Sequence, residues 1–240
     1  MNYDLIKRLQ ALTPKGIKPK FEDAEGWKKF QEEEGRKNAE RVAKENHDAR
    51  VKRIMGRSGI QDLHADCSFD SYKVMCEGQR DALERSRRYA NEFGIGMGGF
   101  VFSGSPGTGK NHLAAAIANH LMRSGKSVLI VTVSELMIKF RDTYRKDSSV
   151  TESQLIDDLC RVDLLILDEI GVQHGSPNEK IIINQIIDKR LGSKKPVGML
   201  TNLDLKGMND ILGARVMDRM QMGGGLWVNF AWDSYRKFVK

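Results

Sequence analysis

Between a short apolar strand pattern, Phe100-Val101-Phe102, and a helical pattern that starts at Asn111 lies the loop Gly104-Ser105-Pro106-Gly107-Thr108-Gly109-Lys110-Asn111. The order strand, glycine loop, helix lets backbone N–H groups turn inward around phosphate oxygens, with the positive end of the helix behind them. Lys110 adds a compact cation within reach of the β and γ phosphates of ATP. This segment commits the middle of the chain to a strand–loop–helix unit and marks residues 104–112, His112 included, as a nucleotide site. One position departs from the general pattern. The residue after the lysine is normally Ser or Thr, whose hydroxyl ligates Mg²⁺, and here it is Asn111. The amide is larger and sits farther from the backbone, so a weakened or shifted metal site and slow hydrolysis are expected.

Beyond the loop, the pattern alternates. Residues 79–93 read as a helix leading into a turn-rich stretch of glycines at 94–99. Residues 111–122 read as a helix, 127–133 as a strand, and 134–144 and 151–160 as helices. Residues 163–167 are a predicted strand, 178–191 a helix, 197–201 a strand, 211–220 a helix and 226–230 a closing strand. Strands alternating with helices imply an α/β fold with a largely parallel sheet covered on both faces. Val128-Leu129-Ile130-Val131 and Leu164-Leu165-Ile166-Leu167 are apolar throughout, as doubly buried strands should be.

The second of these runs ends in Asp168-Glu169. A buried strand that delivers Asp168 toward Mg²⁺, with Glu169 beside it to polarise a water, is the expected second half of an ATP-hydrolysing site. Asn202 follows another strand and is placed to sense the γ-phosphate, or else caps the turn. Arg215 and Arg219 are four apart and share a helix face. Asp218 is expected to pair with Arg215 and leave Arg219 free to reach the γ-phosphate of a neighbouring subunit. Arg236, past the last strand, is a candidate to fold back over the nucleotide in cis.

The first fifty-odd residues differ in character. Leu5, Leu9 and Leu12 recur at helical spacing before Pro14 and Pro19, and Trp27 and Phe30 open a second helical stretch dominated by charge. Glu32 with Arg36, Glu33 with Lys37 and Glu40 with Lys44 are acid-before-base pairs four apart. Such a polar helix buries no core of its own, so the five apolar residues form either a solvated arm or a seam for another protein. The net charge of +7 leans toward a polyanionic partner. His64, Cys67 and Cys76 lie close in sequence but lack a fourth ligand at metal-site spacing, and three cysteines make no disulfide framework. No apolar run approaches the ~20 residues that span a bilayer. A cytoplasmic location without membrane attachment is expected.

Taken together, Gly-Ser-Pro-Gly-Thr-Gly-Lys-Asn-His at 104–112, Leu-Asp-Glu-Ile-Gly-Val-Gln at 167–173, Leu-Thr-Asn at 200–202, Arg-Val-Met-Asp-Arg-Met at 215–220 and Trp-Asp-Ser-Tyr-Arg at 232–236 resemble the DnaC family of bacterial replicative helicase loaders. Asn111 belongs to that family's pattern. The resemblance implies an AAA+ ATPase using ATP and Mg²⁺. It implies three parts: a helical helicase-binding region at 1–55, a linker at 56–75 and the ATPase domain at 76–240. Its implied partners are a DnaB-type helicase hexamer, whose ring it opens, and single-stranded DNA, with self-assembly into a spiral hexamer on the helicase. It further implies Arg219 as finger, Arg215 at the same interface, and Arg236 as second sensor. Tyr144, flanked by Arg141, Arg145 and Lys146, is the candidate contact to single-stranded DNA. A transposition-type accessory ATPase and an ATP-switched adaptor with little turnover are the alternative functions.

Overall fold

The computed structural model describes residues 24–55, 64–95, 98–171, 177–221 and 224–235. Leu5, Leu9, Leu12, the expected hinge at 56–59 and Arg236 lie outside them. Among the described residues the elements run α1 (Ala24–Met55), α2 (Glu77–Asn91), β1 (Phe100–Gly104), α3 (Lys110–Arg123), β2 (Val128–Thr132), α4 (Val133–Thr143) and α5 (Glu152–Arg161). Then follow β3 (Leu164–Ile170), α6 (Pro177–Gly192), β4 (Val197–Thr201), α7 (Leu205–Leu212), α8 (Ala214–Gln221) and β5 (Leu226–Phe230). The strands form one parallel sheet in the order β2-β3-β4-β1-β5. Strand β4 therefore lies between the strand that enters the glycine loop and the strand that ends in Asp168-Glu169.

Alternation along the strands builds a core on each face of the sheet. Phe100, Phe102, Leu164 and Ile166 point to one side, where Leu113, Ile117 and Leu121 of α3 and Ala82 and Ala90 of α2 meet them. Val101, Leu165 and Leu167 point to the other, against Leu136 and Phe140 of α4, Leu155 and Leu159 of α5, and Ile182 and Ile186 of α6. Local signals start two of these helices. Thr132 caps α4 and Thr151 caps α5, each in a reciprocal capping box, with Glu135 and Gln154 respectively.

A feature with no sequence signature ties together the starts of β3 and β4, the end of the sheet away from the loop. Arg190, near the end of α6, is fully buried and donates to the carbonyls of Leu159, Val162, Asp163 and Pro196 at 2.6, 3.1, 3.3 and 2.8 Å. Burial lowers its pKa to about 10, and the ring of carbonyl dipoles takes the place of water around the guanidinium.

The layout departs from the sequence expectation in three places. The helix expected at 211–220 is two helices, α7 and α8, separated at Gly213, whose φ of 84° only glycine adopts without strain. Asp204 caps α7 by accepting from the Gly207 N–H. The chain divides into two compact units at Asn46/His47, inside α1, whereas the helicase-binding region was expected to extend to residue 55. The expected linker is, over residues 64–75, part of the ATPase unit: Cys67, Phe69 and Tyr72 are buried. Asn119 on α3 shares its amide N–H groups among the carbonyls of His64, Ala65 and Cys67. The partners that hold this segment, His112 and Asn119, come from α3, far along the chain, so no local pattern marks it. Helix α1 itself is solvated in its described N-terminal part, with Glu33–Lys37 among its ion pairs, as expected.

Candidate nucleotide and hydrolysis site

Strands β1, β3 and β4 end side by side, and their C-terminal ends form a cleft of about 430 Å³. The glycine loop is its floor. Lys110, 6% exposed, extends its ammonium to the carbonyls of Gly104 (2.6 Å) and Ser105 (2.9 Å) and to Oδ1 of Asn202 (3.0 Å). Asn202, just past the end of β4, thus stands beside the glycine-loop lysine. Thr108 folds back to donate from Oγ1 to the Ser105 carbonyl at 2.8 Å. Gly109 has φ 96°, and a Cβ there would lie 2.8 Å from the ring of Tyr72. Any other residue at 109 would both strain the backbone and displace Tyr72.

On the acidic side, Asn111 Nδ2 donates to Asp168 Oδ2 at 2.7 Å, and the Glu169 N–H donates to Oδ1 at 2.7 Å. Burial raises the Asp168 pKa, partly offset by those two hydrogen bonds and by Lys110. Asn111 and Asp168 are therefore one unit. Strict alternation along β3 would send Glu169 into the core beside Leu165 and Leu167. Instead Glu169 has φ 60°, the pairing of β3 with β4 shifts register between Leu167 and Ile170, and Ile170 takes the core position. Glu169 is left exposed in the cleft. A left-handed non-glycine residue costs about 1–3 kcal/mol, held here by core burial of Ile170 and the 2.7 Å bond from Thr201 Oγ1 to its carbonyl.

Residues 64–75 and the end of the chain supply walls that the sequence reading did not assign. Tyr72, Lys73 and Gln79 line the cleft, as do Thr132 and Tyr235. His112 lines the cleft too, and its ring nitrogens have partners in the 67–68 segment. Its Nε2 donates to the Ser68 carbonyl at 3.0 Å, its Nδ1 lies 3.5 Å from the Cys67 thiol, and Tyr72 packs edge-on against the ring at 5.3 Å. The imidazole anchors the 67–72 segment to the start of α3, with both ring nitrogens engaged there. His64 and Cys67 meet at 3.8 Å, whereas Cys76 is exposed. Among the described residues no group of three or more His, Cys, Asp or Glu side chains could hold a metal ion.

The arginines are arranged differently from the expectation. Arg219 Nη1 lies 2.6 Å from Asp188 Oδ1 on α6, and Arg215 Nη2 lies 3.5 Å from Oδ2 of the same carboxylate. Asp218 is not their partner. Arg219 is one-third exposed and the more tightly held, while Arg215 is the freer at 73% side-chain exposure. The expectation weighed only neighbours on one helix and could not see α6 packed beneath α8. Among the described residues no arginine lines the cleft.

Tyr144 is 59% exposed, and its hydroxyl donates to Glu152 at 2.7 Å. Arg141, Arg145 and Lys146 are exposed beside it, with Arg145 3.6 Å from Asp147. Trp27 and Phe30 stack on α1 with ring centroids 6.1 Å apart.

A glycine loop leading into α3, an acidic strand separated from it by an extra strand, and a polar residue on that extra strand define an additional-strand P-loop ATPase of the AAA+ class. Residues 40–237 match the family model for the IstB-like ATP binding protein. The chain belongs to that family and, within it, to the DnaC group of helicase loaders. It is 52% identical over 236 residues to the "Replicative helicase loader DnaC" of Escherichia coli strain K12, covering 98% of this chain and 96% of that protein. It is also 52% identical over 237 residues to the protein of that name from Buchnera aphidicola subsp. Acyrthosiphon pisum, covering 99% and 96%. The crystal structure of the DnaC helicase loader has the same fold, with a TM-score of 0.61 over 70% of this chain and 99% of that one at 22% identity. The crystal structure of DnaI scores 0.60 over 74% and 95% at 24% identity.

Proposed function

We propose that this chain loads a DnaB-type replicative helicase hexamer onto single-stranded DNA, timed by ATP hydrolysis at an interface between its own copies. The observation that carries the reading is the ~50% identity with loaders over nearly the whole chain. The family model alone begins at residue 40, whereas that identity continues into the N-terminal region, which favours a loader over a transposition-type ATPase.

The roles divide by position. Backbone N–H groups of residues 107–110 and the Lys110 ammonium hold the phosphates, and Asn202 orients Lys110 and the γ-phosphate. Glu169 accepts a proton from the attacking water. The donors around Asp168 are hard oxygens, as Mg²⁺ prefers, so Asp168 and the Asn111 amide oxygen would hold it. The ion supplies neutralisation of charge on the phosphate oxygens when bound. Asn111 also donates to Asp168, so part of its capacity is already used, consistent with a slow site. A cleft without an arginine among its described residues fits Arg219 acting in trans on a neighbour's nucleotide, with Arg215 at the same interface, in a spiral assembly. Arg236 is the candidate second sensor. Leu5, Leu9, Leu12, Trp27 and Phe30 are the helicase-binding seam, and Tyr144 with Arg141, Arg145 and Lys146 contacts the single strand.

The test is ATPase rate with and without a DnaB-type hexamer and single-stranded DNA, beside a pull-down of the hexamer. Strong stimulation and capture through residues 1–55 are expected. A fast isolated chain that ignores the hexamer would remove the reading.

A further inference from the structure

The segment that follows β5 makes two bonds to the glycine loop that the roles above do not use. Trp232 Nε1 donates to the Thr108 carbonyl at 2.9 Å, and the Tyr235 N–H donates to the Gly107 carbonyl at 2.8 Å. A trans peptide is planar, with its C=O and N–H on opposite sides, and no cis peptide is present among the described residues. Holding the Thr108 carbonyl toward Trp232 therefore turns the Gly109 N–H the other way. Holding the Gly107 carbonyl toward Tyr235 does the same for the Thr108 N–H. These N–H groups belong to the loop that cradles phosphate.

Two further carbonyls of the loop are occupied: Gly104 and Ser105 by Lys110, and Ser105 also by Thr108 Oγ1. The indole is itself fixed. It packs on Phe230, with ring centroids 4.9 Å apart, and fits over Gly78, where a Cβ would lie 3.0 Å from the six-membered ring. Phe230 ends β5, the strand that pairs with β1, so the strap and the loop grow from adjacent strands.

We infer that Trp232 is a positioning residue for phosphate binding: its indole N–H, aided by the Tyr235 backbone, orients the loop peptides whose N–H groups bind the nucleotide phosphates. The inference rests on the nucleotide-site reading and deepens it, because it makes the end of the chain part of the cradle's geometry. Loss of one such bond is expected to weaken phosphate binding about tenfold.

The experiment measures ADP and adenosine affinity for the full chain, with Trp232→Phe and with Trp232 replaced by benzothienylalanine, which keeps the two-ring shape but lacks the N–H. Thermal melting of each variant is recorded alongside. Both variants are expected to bind ADP about tenfold more weakly and adenosine as the unaltered chain does. The KM for ATP rises correspondingly while kcat changes less than about twofold. ADP affinity within twofold of the unaltered chain overturns the inference. So does an equal loss for adenosine, which marks general loosening, and so does retention of affinity by the benzothienyl chain alone, which assigns the effect to ring packing. Failure of the unaltered chain to bind ADP instead overturns the nucleotide-site reading itself.

Discussion

In the proposed function the glycine loop and the arginine pair on α8 both supply positive charge to phosphate, yet they are built in opposite ways. Lys110 is 6% exposed, with three partners inside the cleft, and the loop carbonyls around it are tied by side chains or by the strap after β5. Arg215 and Arg219 share one carboxylate, Asp188, on a surface that does not line the cleft. The first arrangement is complete within one chain. The second is held lightly enough to be exchanged for another anion, since a partly exposed ion pair is worth only ~0.2–1 kcal/mol.

The sharpest way to break this contrast is Arg219→Ala. In the assembly with helicase and single-stranded DNA, steady-state ATPase is expected to fall on the order of 1,000-fold, while nucleotide affinity of the isolated chain stays put. A matching loss of affinity in the isolated chain would place Arg219 in its own cleft and erase the distinction. Next comes Glu169→Gln, expected to lower single-turnover hydrolysis by roughly 100-fold or more while ATP still binds. Retained hydrolysis would assign the base elsewhere, and intact helicase loading by this variant would favour the adaptor alternative. Lys110→Ala is expected to weaken ATP binding by about 100-fold, read by titration calorimetry, because it removes a charged donor from a desolvated site. Asp188→Asn should change the assembled rate by less than about fivefold, as an exposed pair allows. A larger drop would show that the carboxylate holds the arginine in its working pose. The smallest effect is expected from Asn111→Thr: turnover and Mg²⁺ affinity rise about threefold, a gain of under 1 kcal/mol. No change in either would detach Asn111 from the metal.

The loop and the acidic strand were legible because their chemistry is local. Glycines, one lysine and a strand–helix context state their own purpose, and four consecutive apolar residues before Asp168 announce a doubly buried strand. The position of Asn202, just past the end of β4, was legible for the same reason. What was not legible involves partners distant in sequence. Cys67, His112 and Asn119 pin residues 64–75 across a gap of about fifty residues, so the segment read as a linker although its described part is a cleft wall. His112 read as a phosphate residue because it follows the motif; it lines the cleft, and both its ring nitrogens are engaged by residues 67–68. The partner of Arg219 was sought on its own helix, whereas Asp188 comes from α6.

By itself, the sequence determined the α/β class, the cradle at 104–111 and the Asp168-Glu169 terminus of a buried strand. Periodicity and glycine chemistry act over a few residues and need no fold to be read. Only the tertiary structure decided that β4 stands between the two halves of the site and that Glu169 leaves the core by a register shift. It alone showed that Trp232 and Tyr235 close over the loop's carbonyls. Those are facts of strand order and of which distant groups satisfy one another's hydrogen bonds, and a buried polar group must find its partners in space, where a linear reading cannot see them.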